Sequence, residues 1–178
     1  MVLVVTPLVS LIQDQMQHLP RGLRGLTLNS TLSGPQRSRV RQSIKAGQVD
    51  VLFVSPELVE TPGFLYFMQG ADIPPVAFAC IDEAHCVSEW SHNFRPAYLR
   101  LCAILRGSLN IACLLGLTAT ATRATEASVC AHLQITAERV VRIDPVPSNL
   151  TLNVSEPARR EDEIVYLLTV KPKRRRRR

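Results

Sequence analysis

Two adjacent carboxylates, Asp82 and Glu83, follow an apolar run over residues 75–80 and are followed in turn by Ala84-His85-Cys86. Acidic residues at the carboxyl end of a buried strand suit a metal-nucleotide site. Asp82 is placed to hold Mg²⁺ through its waters, and Glu83 to orient or deprotonate a water that attacks a γ-phosphate. Alone, an Asp-Glu pair is more often a solvated turn. What lifts this pair above that reading is the run Val87-Ser88-Glu89-Trp90-Ser91-His92-Asn93-Phe94-Arg95-Pro96 directly behind it. Trp90 and Phe94 offer faces on which bases can stack, and Arg95 offers a grip on phosphate, only a few residues from the carboxylates. The bland alternative for Trp90 is a core anchor for the following helix.

Short β-rich runs alternate with amphipathic segments along the chain. Strands are expected at Leu3-Val5, Leu26-Asn29, Val51-Val54, Val76-Ile81, Ile111-Leu117 and Val140-Ile143, and helices near Ser10-His18, Pro35-Ala46, Gly63-Gln69, Arg95-Leu105 and Arg123-Leu133. Ser33 suits the cap of the second helix, Pro35 its first turn and Gly47 its end. The pattern predicts an α/β fold, a parallel sheet covered by helices on both faces. Thr6, Pro7, Ser10, Gln13, Asn29, Ser30, Ser55 and Pro56 then fall along the carboxyl edge of that sheet, where small hydroxyls and backbone amides can hold a DNA backbone without reading bases. Arg37, Arg41 and Lys45 recur at helical spacing. Such a face is ordinarily a solvated one, with DNA contact as the alternative.

The stretch Asp82 to Pro96 resembles the Walker B motif and aromatic-rich loop of the RecQ family of superfamily 2 DNA helicases. Further segments fall in that family's order: Val5-Thr6-Pro7-Leu8-Val9-Ser10-Leu11-Ile12-Gln13-Asp14-Gln15 is similar to motif Ia and Leu28-Asn29-Ser30 to the segment after it. Val54-Ser55-Pro56-Glu57 resembles motif Ib, and Gly116-Leu117-Thr118-Ala119-Thr120-Ala121-Thr122 resembles motif III. Ser91, Asn93 and Leu114-Leu115-Gly116 look most like the Rothmund-Thomson type. The resemblance spans residues 2 to about 155. It implies a RecA-like lobe, ATP with Mg²⁺, ATP-dependent 3′-to-5′ unwinding of DNA in repair, replication or recombination, and single-stranded and junction DNA as partners. It also implies that Trp90, His92, Phe94 and Arg95 sense DNA, that His85 links the metal site to motif III, and that Thr118 and Thr120 couple hydrolysis to unwinding. Glu89 departs from the Gln common at its place in the family.

RecQ helicases carry a Gly-Lys-Ser/Thr P-loop before motif Ia, and this sequence contains no such tripeptide. The lobe is therefore expected to be partial over residues 1–144, with its sheet incomplete. Residues 145–170 read as a linker and the start of a second lobe, and residues 171–178 as a disordered basic tail. The expectation is a helicase fragment; the alternative is a noncatalytic DNA- or protein-binding product.

With 178 residues, 46% of them hydrophobic, the chain can bury one domain-sized core. Five cysteines without a CxxC pair argue against a zinc site, and no apolar stretch suggests a membrane span. The formal charge of +6 is unevenly placed: seven basic residues lie in 171–178, leaving 14 basic against 15 acidic groups before them. Such a run suits nuclear import or nonspecific attraction to phosphate, so a nuclear location is expected, with the cytoplasm also open.

Overall fold

The computed structural model describes residues 1–29, 31–88, 95–143, 149–150, 164–165 and 169. Two compact units result, Met1–Ile143 and Asp144–Arg178. The first contains strands β1 (Val2–Val5), β2 (Gly25–Leu28), β3 (Val51–Val54), β4 (Phe78–Ile81) and β5 (Leu114–Gly116). Its helices are α1 (Val9–Gln17), α2 (Gly34–Lys45), α3 (Pro56–Val59), α4 (Pro62–Met68), α5 (Pro96–Ala103) and α6 (Arg123–Leu133). In the second unit, residues 164–165 and 169 are helical, and the Thr169 hydroxyl donates to the Val165 carbonyl at 2.9 Å.

The five strands form one parallel sheet in the order β2-β3-β1-β4-β5. Side-chain alternation separates its two faces. Leu3, Val5, Leu52 and Val54 enter the larger apolar cluster with Leu101, Leu105 and Ile111, whereas Val51 and Phe53 join Ile12 of α1 in a smaller one. All four residues of β3 are buried, as a strand covered on both faces requires.

Local chemistry sets the helix starts. Ser33 and Gln36 make a reciprocal capping box at α2, Thr61 and Thr122 cap α4 and α6, and prolines occupy the first turns of α2, α3, α4 and α5. Gly116 lets α6 approach β5: a Cβ there would lie 2.8 Å from the Leu133 side chain.

The sheet is shorter at one side than the sequence pattern suggests. β5 covers three residues, not the seven of Ile111-Leu117, and pairs only with β4, while Leu115 and Leu117 are 44% and 46% exposed. Residues 140–143 form no strand; Val141 and Ile143 are exposed. A strand persists only as far as a neighbour satisfies its backbone, and among the described residues β5 has no partner on its outer edge. Helix α3 is an addition to the expected elements, as are 3-10 turns at Ala84–Val87 and Ala137–Arg139 and a π-helical turn at Ile104–Ser108.

Candidate nucleotide and nucleic-acid site

Parallel pairing of β1 with β4 in the register Val5 to Ile81 brings the carboxyl ends of both strands together, so Thr6 lies beside Asp82. The Asp82 amide continues the ladder to the Val5 carbonyl. Its carboxylate is held from three directions: Gln15 Nε2 donates to Oδ2 at 3.0 Å, the Thr6 hydroxyl to Oδ2 at 3.4 Å, and the Glu83 amide to Oδ1 at 3.0 Å. From beneath, the phenol of buried Tyr98 donates to the Asp82 carbonyl at 3.0 Å. Burial raises the Tyr98 pKa, so that donor stays protonated.

Glu83 adopts a left-handed backbone conformation, φ 50° and ψ 43°. A side chain there costs about 1–3 kcal/mol, a strain that structures tolerate mainly at functional positions. The bend ends β4 and starts the 3-10 turn carrying His85. Glu83 Oε2 lies 3.1 Å from His85 Nδ1, which is 2.9 Å from the Thr118 hydroxyl oxygen. Because the Thr118 hydroxyl donates to the Thr120 carbonyl at 3.0 Å, its oxygen accepts from His85, and the imidazole proton sits on Nδ1. The Ala84 amide donates to the Leu117 carbonyl at 2.8 Å. Glu83, His85, Thr118 and Thr120 are thus one connected group, with Thr120 contributing its backbone rather than its hydroxyl.

The expected nucleic-acid edge divides. Thr6 is fully buried and turned to Asp82, while Ser10 is exposed on α1. The Pro7 carbonyl accepts from Arg95 Nη1 at 3.4 Å, and the same nitrogen lies 3.6 Å from Glu57. Asn29 is spent internally, its Oδ1 accepting from the Thr31 amide and hydroxyl. Ser55 caps α3 by accepting from the Leu58 amide, with Pro56 in that helix's first turn. Ser30, Trp90, His92 and Phe94 lie outside the described residues. The cationic stripe of α2 is also engaged within the fold: Arg37 donates to the Leu32 carbonyl, Arg41 lies 5.0 Å over the Phe67 ring and Lys45 pairs with Asp72.

Two residues touching Asp82, Gln15 and Tyr98, were not singled out by the sequence. The signal for Gln15 was periodicity: it lies on the face of α1 that carries Ile12 and Met16, where a polar residue needs a reason. Burial pushes the Cys80 thiol up to about 11 and raises that of Cys86, which leaves neither as a nucleophile at neutral pH.

One carboxylate whose two oxygens both accept hydrogen bonds is a donor set for a hydrated hard cation, the way Mg²⁺ accompanies nucleotide phosphates. Among the described residues there is no group of three or more His, Cys, Asp or Glu that could enclose a metal, as zinc would need. The Asp82 carboxylate, oriented by Gln15, Thr6 and the Glu83 amide, fits Mg²⁺ held through water. Among the described residues no helix is long and apolar enough to cross a membrane.

Residues 1–128 match the family model for the DEAD/DEAH box helicase. The chain is 48% identical over 167 residues to the ATP-dependent DNA helicase Q4 of Homo sapiens, covering 93% of this chain and 14% of that protein. It is 35% identical over 153 residues to the ATP-dependent DNA helicase RecQ of Bacillus subtilis, covering 85% of this chain and 25% of that one. Among solved structures, the Mycobacterium smegmatis helicase Lhr bound to ssDNA and AMP-PNP matches with a TM-score of 0.50 at 22% identity, covering 72% of this chain and 18% of that one, a likeness of RecA-like fold. The chain thus spans a small part of its curated relatives. These matches show that the chain belongs to the DEAD/DEAH box helicases, and within them to the RecQ-type DNA helicases.

Proposed function

We propose that this chain is the hydrolytic and DNA-responsive part of the first lobe of an ATP-dependent 3′-to-5′ DNA helicase acting on single-stranded and junction DNA. The observation that carries the reading is the continuous contact from Glu83 through His85 to Thr118 beside the three-donor Asp82 carboxylate. Asp82 would hold Mg²⁺ through water, and the bound ion supplies charge neutralisation to the phosphates. Glu83, at the bend after β4, is placed to orient and deprotonate a water. His85, with its Nδ1 proton shared between Glu83 and Thr118, passes the state of the carboxylate to the motif III segment. Arg95, tied to Pro7, connects the segment of Trp90, His92 and Phe94 with the end of β1, next to Asp82. DNA held along Pro7, Ser10 and Arg95 would therefore act on the same strand ends that carry the carboxylates. The basic run at 171–178 supports a nuclear location and adds nonspecific attraction to DNA. A role in repair, replication or recombination follows from the same reading.

The sequence offers no Gly-Lys-Ser/Thr cradle for the β- and γ-phosphates, and so the isolated chain should release no phosphate from ATP in the presence of saturating single-stranded DNA. The check is a phosphate-release assay on the chain and its Glu83→Gln variant. DNA-stimulated turnover that disappears in the variant would show a phosphate cradle within these residues and overturn this assignment of parts.

A further inference from the structure

Gln15 is an uncommon choice for its position. It shares a helix face with Ile12 and Met16, which pack in the smaller apolar cluster beside Leu19, just past the helix end. Its Nε2 donates to Asp82 Oδ2 at 3.0 Å, across 67 residues of sequence, whereas its Oε1 is buried and has no hydrogen-bond partner. The amide orientation is settled by charge, since turning Oε1 toward the carboxylate would replace an attraction by a repulsion. A side chain that made both contacts, or none, would serve stability better. An apolar residue of the same length would fill this face without stranding a buried acceptor.

We infer that Gln15 is a positioning residue for the Asp82 carboxylate, retained for the site and not for the fold. This rests on the reading of Asp82 as the metal-holding carboxylate. With Gln15 on one side of Oδ2, Thr6 on the other and the Glu83 amide on Oδ1, the carboxylate plane is fixed. Gln15 is the only one of the three whose side chain comes from a helix; that helix also carries exposed Ser10, on the proposed DNA edge. Movement of α1 on binding DNA would then be felt directly at Asp82, in addition to any signal through residues 89–94. Orienting partners of this kind typically change metal affinity by about tenfold or more when removed.

The test compares the chain with its Gln15→Met and Gln15→Leu variants. Each is followed by thermal unfolding and, on ¹⁵N-labelled protein, by Mn²⁺-induced broadening of the Asp82 and Glu83 amide signals, with Asp82→Asn as the control that abolishes it. The expected result is a Tm that is unchanged or raised together with an apparent Mn²⁺ affinity about tenfold weaker. Unchanged Mn²⁺ affinity in either variant overturns the inference. A clear fall in Tm in both variants also overturns it, because Gln15 would then be serving the fold. Should the parent chain show no broadening at Asp82, the metal reading fails and takes this inference with it; broadening that ignores Gln15 spares the metal reading.

Discussion

Glu83→Gln is expected to lower ATP hydrolysis by about 10²–10⁴-fold while leaving ATP binding within about twofold, when this chain replaces the matching segment of the human helicase relative. The substitution isolates the charge. Gln has the shape of Glu, tolerates the left-handed bend at φ 50° no worse, and can still accept from His85 Nδ1, so the turn at Ala84–Val87 should persist. What is lost is a base beside the position of the attacking water. Asp82 keeps its donors from Gln15 and Thr6, so on the proposed reading it would still hold Mg²⁺ and with it the nucleotide. The measurements are phosphate release and fluorescent-nucleotide binding on the same preparation. Loss of binding in parallel with turnover would make Glu83 a structural or metal-holding residue instead.

Removing residues 171–178 is expected to weaken binding of single-stranded DNA by about 10²–10³-fold at low salt and to lower the slope of log affinity against log salt by roughly five. The seven positive charges of that run exceed the whole net charge of the chain, and residues 1–170 hold 14 basic against 15 acidic groups. The cations of α2 and Arg24 offer little replacement. Arg37, Arg41 and Lys45 face a carbonyl, a ring and a carboxylate of their own chain, and Arg24 pairs with Asp50, whose carboxyl it holds at about 2. Fluorescence anisotropy across a salt series, with and without the eight residues, reads both quantities. Equal affinity and equal slope would place the binding surface on the folded unit.

The elements that local chemistry specifies were legible in the sequence. Ser33 and Pro35 announce the start of α2, and the β-rich runs ending in Val5, Val54 and Ile81 give the strands whose alignment assembles the site. The elements that depend on neighbours were not. β5 is confined to Leu114–Gly116 and residues 140–143 stay outside the sheet because pairing, not propensity, decides how far a strand runs. The chemistry divides in the same way. His85 meets Thr118 as the family resemblance implies, while Gln15 and Tyr98 reach Asp82 through contacts 67 and 16 residues apart, outside the segments read as carrying the carboxylate chemistry. Asn29 and Ser55 show the converse: small polar residues at a sheet edge were read as DNA contacts, and the fold uses their side chains to close a turn and cap a helix.

On the function proposed above, DNA bound beside this sheet edge controls the carboxylates that follow β4. The most direct test of this control is ATP hydrolysis by the same human chimera, with and without saturating single-stranded DNA, for the parent segment and for Trp90→Ala. The expected outcome is hydrolysis stimulated by DNA in the parent, with that stimulation lost and basal turnover retained in Trp90→Ala. A folded, ATP-binding chimera whose hydrolysis ignores DNA, or a Trp90→Ala variant that keeps full stimulation, would contradict the account.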